Sequence, residues 1–333
     1  MKTHLRGLAA VLLLLLLPLT AAAGVLTVDV LDIGQGDAIL VRGGGKTALI
    51  DSGDRNSPTV AQLHQLGVER LDLVVASHPH ADHIGRMPDV LQSFEVGLYL
   101  DSGLPHTTRI FESTMSAVED VGVDYASANR GMILRLGEEA TFTVLFPIDG
   151  KMLRGTRSDL NSNSVVLRLD HGANSFLFTG DAEAPTERAL IAAGIEPVDV
   201  LKVPHHGSHH SSTRAFLEAL GPQIAVISAG RANKYGHPDD EAVHRLGEVG
   251  AAIYRTDLSS HLRIISDGES LEVLEGSVAE IAQMKIAQMK IAQVETTTPP
   301  SQPAAEVALS KRELRKQVRE ARRAARAARR AER

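Results

Sequence analysis

Ser77-His78-Pro79-His80-Ala81-Asp82-His83 is the stretch that decides how this chain folds. It directly follows residues 71–76, a Val- and Leu-rich run that reads as a buried strand. In an extended segment, side chains two residues apart share a face. His78 and His80 are therefore expected to converge on one cation. Asp82 and His83 lie just beyond, where the chain turns towards a helix, and are expected to converge on a second. Imidazoles and carboxylates this dense, beside a buried strand, would repel or stay unsatisfied without a metal.

Working outward, a second histidine cluster, Pro204-His205-His206-Gly207-Ser208-His209-His210, follows the predicted strand 198–203. One of His205 and His206 is expected to be a ligand and the other to face substrate. His209 and His210 read as loop residues. Thr179-Gly180-Asp181 ends a further strand. A carboxylate there can bridge two ions if these strand ends meet at one sheet edge. The chain contains no Cys. Disulfide scaffolds, thiol catalysis and Cys-ligated zinc are excluded, so a metal must rest on His and carboxylates.

The rest of the body alternates strands and helices. Strands are predicted at 25–33, 38–42, 47–50, 71–76, 96–100, twice within 132–146, in a hairpin at 164–169 and 175–179, and at 198–203 and 224–228. Helices are predicted at 60–68, 107–121, 184–193, 213–220 and 241–249. Paired strands followed by strand–helix alternation fit neither an all-β nor a pure βαβ fold. The expectation is α/β (α+β): two mixed β-sheets with helices outside them.

The 333 residues are 43% hydrophobic and 23% charged, which is ordinary for a globular chain. That excludes a disordered chain, a collagen and a multi-span membrane protein. The net charge of −6 conceals an asymmetry. Residues 24–275 hold 20 Lys/Arg against 35 Asp/Glu, a net −15, whereas residues 311–333 hold 11 Lys/Arg against 3 Glu, a net +8. An acidic body argues against a broad nucleic-acid-binding face. Residues 1–23 read as a secretory signal peptide: Lys2 and Arg6, an apolar run from 8 to 19, then Ala21-Ala22-Ala23. That run is about 12 residues, short of the roughly 20 that span a bilayer. The mature chain is thus expected to be secreted or periplasmic, without a transmembrane span. Residues 276–310 hold an Ile-Ala-Gln-Met-Lys repeat and a Thr/Pro-rich linker, and 311–333 form a basic Arg/Ala-rich tail. The tail reads as a solvated charged segment, or one that binds a polyanion or anionic membrane surface. Residues 24–275 are left as the folded body.

The His-x-His-x-Asp-His pattern at 78–83 resembles the signature of the metallo-β-lactamase superfamily. Further elements narrow the resemblance: 31–38 (Leu-Asp-Ile-Gly-Gln-Gly-Asp-Ala), 49–53, Asn163-Ser164, 179–181, 201–208, and 233–238 (Asn-Lys-Tyr-Gly-His-Pro). Together they are similar to the soluble hydrolase domain of ComEC-type competence proteins, over about residues 25–275. The resemblance implies an αββα four-layer sandwich, the metallo-β-lactamase fold, with two divalent ions, Zn or Mn. It implies His78 and His80 on the first ion, Asp82, His83 and His206 on the second, and Asp181 between them. Asp51 would stand behind the ligands and orient the histidine loop. The superfamily's usual third His for the first ion is missing. Asn163 occupies roughly that place, which would leave the first site looser, taking Mn rather than Zn, or filled only with substrate present.

Such a site suits phosphodiester cleavage. Asp82 is expected to orient the nucleophile with Asp181. His205 or His237 would protonate the leaving oxygen or grip a phosphate. Ser208 and Asn233 would contact phosphate. With aromatics at 3% and no Trp, no stacking platform is evident, so a phosphodiesterase or nuclease of little sequence preference, acting on DNA or an envelope polymer, is the expected function. The alternatives are hydrolysis of another ester or amide (a phosphocholine-type envelope ester, a lactone, a β-lactam) and a non-catalytic binding protein.

Overall fold

The computed structural model describes residues 24–148 and 151–283. Residues 1–23, expected to be a signal peptide, most of the repeat, and residues 296–333, expected to be a linker and basic tail, lie outside the described residues. In chain order the elements are β1 (Leu26–Val30), β2 (Ile39–Gly43), β3 (Lys46–Ile50), α1 (Thr59–Gln65), β4 (Arg70–Ala76), α2 (Ala81–Ile84), α3 (Met87–Ser93), β5 (Glu95–Asp101), α4 (Arg109–Val121), β6 (Asp124–Ser127), β7 (Ile133–Leu136), β8 (Ala140–Phe146), β9 (Val166–His171), β10 (Asn174–Phe178), α5 (Ala184–Ala192), β11 (Val200–Lys202), α6 (Arg214–Leu220), β12 (Ile224–Ile227), α7 (Asp240–Glu248), β13 (Ala252–Arg255), α8 (Thr256–Ser259), β14 (His261–Ser266) and β15 (Leu271–Gly276).

One sheet runs in the order β15-β14-β1-β2-β3-β4-β5-β6 and the other β13-β12-β11-β10-β9-β8-β7. Both are mixed: β3 to β6 are parallel, as are β10 to β13, and the remaining pairs are antiparallel. Each strand alternates its side chains between two faces. Val28, Val41, Phe142, Phe176 and Ile264 meet between the sheets. Leu40, Leu49 and Val74 face the other way and pack under Leu63, Met87 and Met115 of α1, α3 and α4. Leu177, Leu201 and Ala225 of the second sheet pack under Leu190, Phe216 and Leu246 of α5, α6 and α7. The result is the expected four-layer αββα sandwich. In α4, Ile110, Phe111, Thr114, Met115, Ala117 and Val118 form the buried stripe. Thr108 caps its N-terminus and Gly122, at φ +68°, ends it in the left-handed conformation that glycine tolerates.

Two expectations need correction. Strands β6, β13, β14 and β15, and helices α3 and α8, were not anticipated. In β14, His261 and Arg263 occupy positions that read as solvent-facing, yet both are buried, because the Asp29 carboxylate of β1 accepts from His261 Nε2 at 2.8 Å and Arg263 Nε at 2.6 Å. The packed body also continues past residue 275. Residues 278–283 are helical, Val278 and Ile281 are buried, and the Arg263 guanidinium donates to the Ile281 carbonyl. Ile281 opens the five-residue repeat, so at least its first residue belongs to the core.

Candidate metal centre

The parallel strands deliver their C-terminal ends to one edge of the sandwich. Asp51 follows β3, the 77–83 loop follows β4, Asp181 follows β10, and His205 and His206 follow β11. The topology thus gathers residues up to 155 positions apart, from Asp51 to His206.

Asp51 fixes the histidine loop. One of its carboxylate oxygens accepts from the Ser77 N–H at 2.7 Å, and the other from Ser77 Oγ at 2.7 Å. His83 Nδ1 lies 2.8 Å from that second oxygen. This leaves His83 Nε2 pointing inward, 3.2 Å from Asp181 Oδ1. His206 Nδ1 is held by the Ser228 carbonyl at 2.9 Å. Its Nε2 lies 3.4 Å from the same Asp181 Oδ1 and 3.6 Å from Asp82 Oδ2. Asp181 Oδ2 faces His78 Nε2 at 3.7 Å and His205 Nε2 at 3.6 Å. His78 Nε2 and His80 Nδ1 approach to 2.9 Å.

The donor set fits a divalent metal. His83 Nε2, His206 Nε2 and Asp181 Oδ1 are buried and make no hydrogen bond, although they surround one point. Buried polar atoms are rarely left unpaired, and imidazole nitrogens and a carboxylate oxygen that converge on one point without hydrogen-bonding are what a cation satisfies. His78, His83 and Asp181, and likewise Asp82, His83 and His206, bring ligand atoms within 4.8 Å of one another.

The electrostatics agree. Burial alone would lower His206, but Asp181 and then Asp37 push it up to about 10. His83 is likewise raised, against burial, by Asp181 and Asp51. Burial would raise Asp181, but His83, His206, His205 and His78 hold it well below the usual carboxylate range. Burial lowers His78 and His80. It also pushes His205 down to about 4, helped by His206, His237 and Arg157 against Asp181. Such perturbation is concentrated where function is.

Backbone strain marks the same place. His205 and His206 are consecutive residues at φ +52° and +54°, and Asp51 is at +60°. Two successive left-handed residues splay the rings, sending His205 to one oxygen of Asp181 and His206 to the other. Such conformations persist where surrounding structure enforces them. Gly180 serves the same geometry: a Cβ there would sit 2.8 Å from the Ser77 side chain.

The site opens into a cavity of about 610 Å³ whose lining includes His80, His106, Arg157, Asn161, His205, Ser208, Tyr235 and His237. His237 stands with its ring centroid 5.6 Å from that of His205. Ser208 is buried in the wall.

Two expected site residues lie elsewhere. The Asn163 amide is consumed by the 153–159 segment: Oδ1 accepts from Leu153 N at 2.8 Å, and Nδ2 donates to the Leu153 and Asp159 carbonyls. It is held towards that segment and does not line the cavity. Asn161, two residues earlier, lines the cavity instead, with its Oδ1 buried and unpaired. Asn233 donates to the Gly230 and His237 carbonyls and accepts from the Tyr235 and His237 N–H groups. It builds the loop and does not contact the cavity.

Four residues went unassigned. Asp37 and Lys202 form a buried ion pair at 2.7 Å between the two sheets, and Asp37 Oδ1 lies 3.4 Å from His206 Nδ1. Glu183, buried, sits 3.6 Å from His205 Nδ1 and pairs with Arg157. A charge within the apolar run Val200-Leu201-Lys202-Val203 was the available signal for the first pair.

A family model described as the metallo-beta-lactamase superfamily matches residues 31–231. The chain is 30% identical over 269 residues to ComE operon protein 3 of Bacillus subtilis, covering 74% of this chain and 33% of that protein. It is 34% identical over 245 residues to Competence protein ComA of Neisseria gonorrhoeae, covering 71% and 32%. It thus spans about a third of the length of these relatives. Among solved structures, the metallo-beta-lactamase fold protein YhfI from Bacillus subtilis superposes with a TM-score of 0.50 at 15% identity, over 73% of this chain and 100% of that one. No helix among the described residues is long and apolar enough to cross a membrane. With the family match spanning most of the body and the inward-facing His and Asp cluster at the strand ends, the chain belongs to the metallo-β-lactamase superfamily of metal-dependent hydrolases.

Proposed function

We propose that the protein is a phosphodiesterase acting on nucleic acid at a site for two divalent ions. The observation that carries this is Asp181, whose two oxygens face opposite ways into separate sets of imidazoles at the floor of one cavity. His78, His80 and Asp181 Oδ2 would hold one ion, and Asp82, His83, His206 and Asp181 Oδ1 the other. The first set has no third imidazole, which leaves manganese as well as zinc within its range. When bound, such ions supply Lewis-acid charge against phosphoryl oxygens and ease deprotonation of the attacking water. Asp82 and Asp181 orient that water. His205, neutral at neutral pH with its Nδ1 towards Glu183, is a hydrogen-bond partner or proton acceptor beside the scissile group and not a stored acid. His237 and Ser208 line the path of the phosphate. Arg157 adds a cation at the cavity wall, suiting an anionic substrate. The relatives named for competence, and a third named Recombination protein 2, favour DNA as the polymer.

The same reading takes residues 1–23 as a secretory signal and 311–333 as a tether for a polyanion or anionic membrane surface. The test is turnover by Zn- or Mn-loaded protein of bis-p-nitrophenyl phosphate, single-stranded DNA and nitrocefin. Phosphodiester cleavage that disappears in EDTA and in Asp181→Asn supports the proposal. Nitrocefin turnover without phosphodiester turnover overturns it.

A further inference from the structure

The 229–239 loop after β12 carries chemistry that the metal-holding residues do not use. The chain has seven Phe and four Tyr. Ten of these rings are buried or half-buried, and Tyr235, 52% exposed, is the exception. It stands in the wall of the catalytic cavity. Its ring runs nearly parallel to that of His237, with centroids 6.0 Å apart and planes 14° from each other. Lys234 Nζ lies over the Tyr235 ring, 4.9 Å from its centroid, on a flexible four-carbon stem that lets it leave that face for a phosphate. The four Asn233 side-chain hydrogen bonds hold this loop in place. The ring is therefore exposed by a braced loop and not by fraying.

An exposed aromatic ring, braced beside a site for phosphodiesters and carrying an ammonium group that can move from its face to a phosphate, complements what a nucleotide presents: a π-face next to a phosphate. We infer that Tyr235 is the stacking platform for a base adjacent to the scissile phosphodiester, with Lys234 pairing a neighbouring phosphate, so that the preferred substrate is a single strand. The inference rests on the phosphodiesterase reading and names its substrate class. Stacking tolerates any base, because every base has a π-face. A duplex hides those faces and must unstack to offer one. The 3% aromatic content of the sequence concealed this, because a platform needs one exposed ring in the right place.

The experiment is fluorescence anisotropy on the full, zinc-loaded chain with two labelled strands of equal length and charge. One is oligothymidylate and the other is its abasic counterpart, both with phosphorothioate linkages that resist hydrolysis. Both strands present the same charges to Lys234 and to the basic C-terminal segment, so the ratio of Kd values isolates the base. The abasic strand is expected to bind about 5- to 150-fold more weakly. Tyr235→Ala is expected to bring the ratio close to one, and Tyr235→Phe to preserve it. Equal Kd values in the wild type, or a ratio untouched by Tyr235→Ala, overturn the platform. Cleavage of ordinary phosphodiester strands is scored separately. A strand held through Tyr235 but never cut refutes the phosphodiesterase reading and leaves the platform standing, and cutting without base-dependent binding does the reverse.

Discussion

Replacing Lys202 with Met removes the charge that lies nearest to Asp37 across the two sheets, the other being His206. The Lys202 ammonium lies 2.7 Å from Asp37 Oδ2, with side-chain exposures of 2% and 1%. Burial would raise Asp37, yet Lys202 and then His206 hold it well below the usual carboxylate range. In Lys202→Met the carboxylate keeps His206 Nδ1 at 3.4 Å but loses its strongest partner in a place water does not reach. Breaking a buried pair from one side costs about 3–5 kcal/mol, because the remaining charge is uncompensated. For a body of this size that corresponds to a fall in Tm of about 6–20 °C. Lys202→Met/Asp37→Asn removes both charges and is expected to recover at least half of the loss. The assay is urea unfolding of the four proteins of the double-mutant cycle. Additive single-variant effects, or a Lys202→Met cost below about 1 kcal/mol, would refute the claim that this pair staples the sheets beneath His206.

Asp51→Asn keeps an oxygen for Ser77 but weakens the charge that orients His83, so zinc affinity should fall roughly 10- to 100-fold by competition with a chromogenic chelator. An unchanged affinity would show that His83 is oriented by other contacts. Asn163→Ala should leave metal affinity unchanged and cost about 1–3 kcal/mol in urea unfolding, since it strands the polar groups of Leu153 and Asp159. Metal loss in that variant would restore Asn163 as a ligand. Burial raises Asp101 from 3.8 to about 6, despite hydrogen bonds from the Gly103 N–H and Tyr125 Oη. A raised carboxyl contributes stability below its unfolded pKa and loses it as pH rises through the folded one, here about 3 kcal/mol between pH 4 and 6. Asp101→Asn should remove that slope, so parallel stability–pH profiles for variant and wild type would refute it.

The inward face of the fold was legible because its strands are apolar on both faces or alternate cleanly, as in β4 and β8. The C-terminal strands were not, for a reason visible in β14. His261 and Arg263 are polar letters at core positions, made tolerable by a carboxylate more than 230 residues away. Pattern reading assigns such residues to solvent, since it cannot see a partner outside its window. The same limit applied to residues 278–283. Val278 and Ile281 are spaced as one face of a short helix, but a repeat that matches no secondary-structure period hid the first turn of it.

The proposed metal ligands show what local sequence can and cannot decide. Spacing alone grouped His78, His80, Asp82 and His83, because strand geometry maps two-residue offsets onto a shared face. Adjacent histidines have no such rule. Choosing between His205 and His206 required their left-handed φ angles and the Ser228 carbonyl that pins His206 Nδ1. Asn163 misled for the opposite reason: it holds the right place in the chain order, but its amide is spent on backbone groups within ten residues of it. Asn161, by contrast, lines the cavity with a buried and free Oδ1, and is the neighbour whose substitution should alter the cavity.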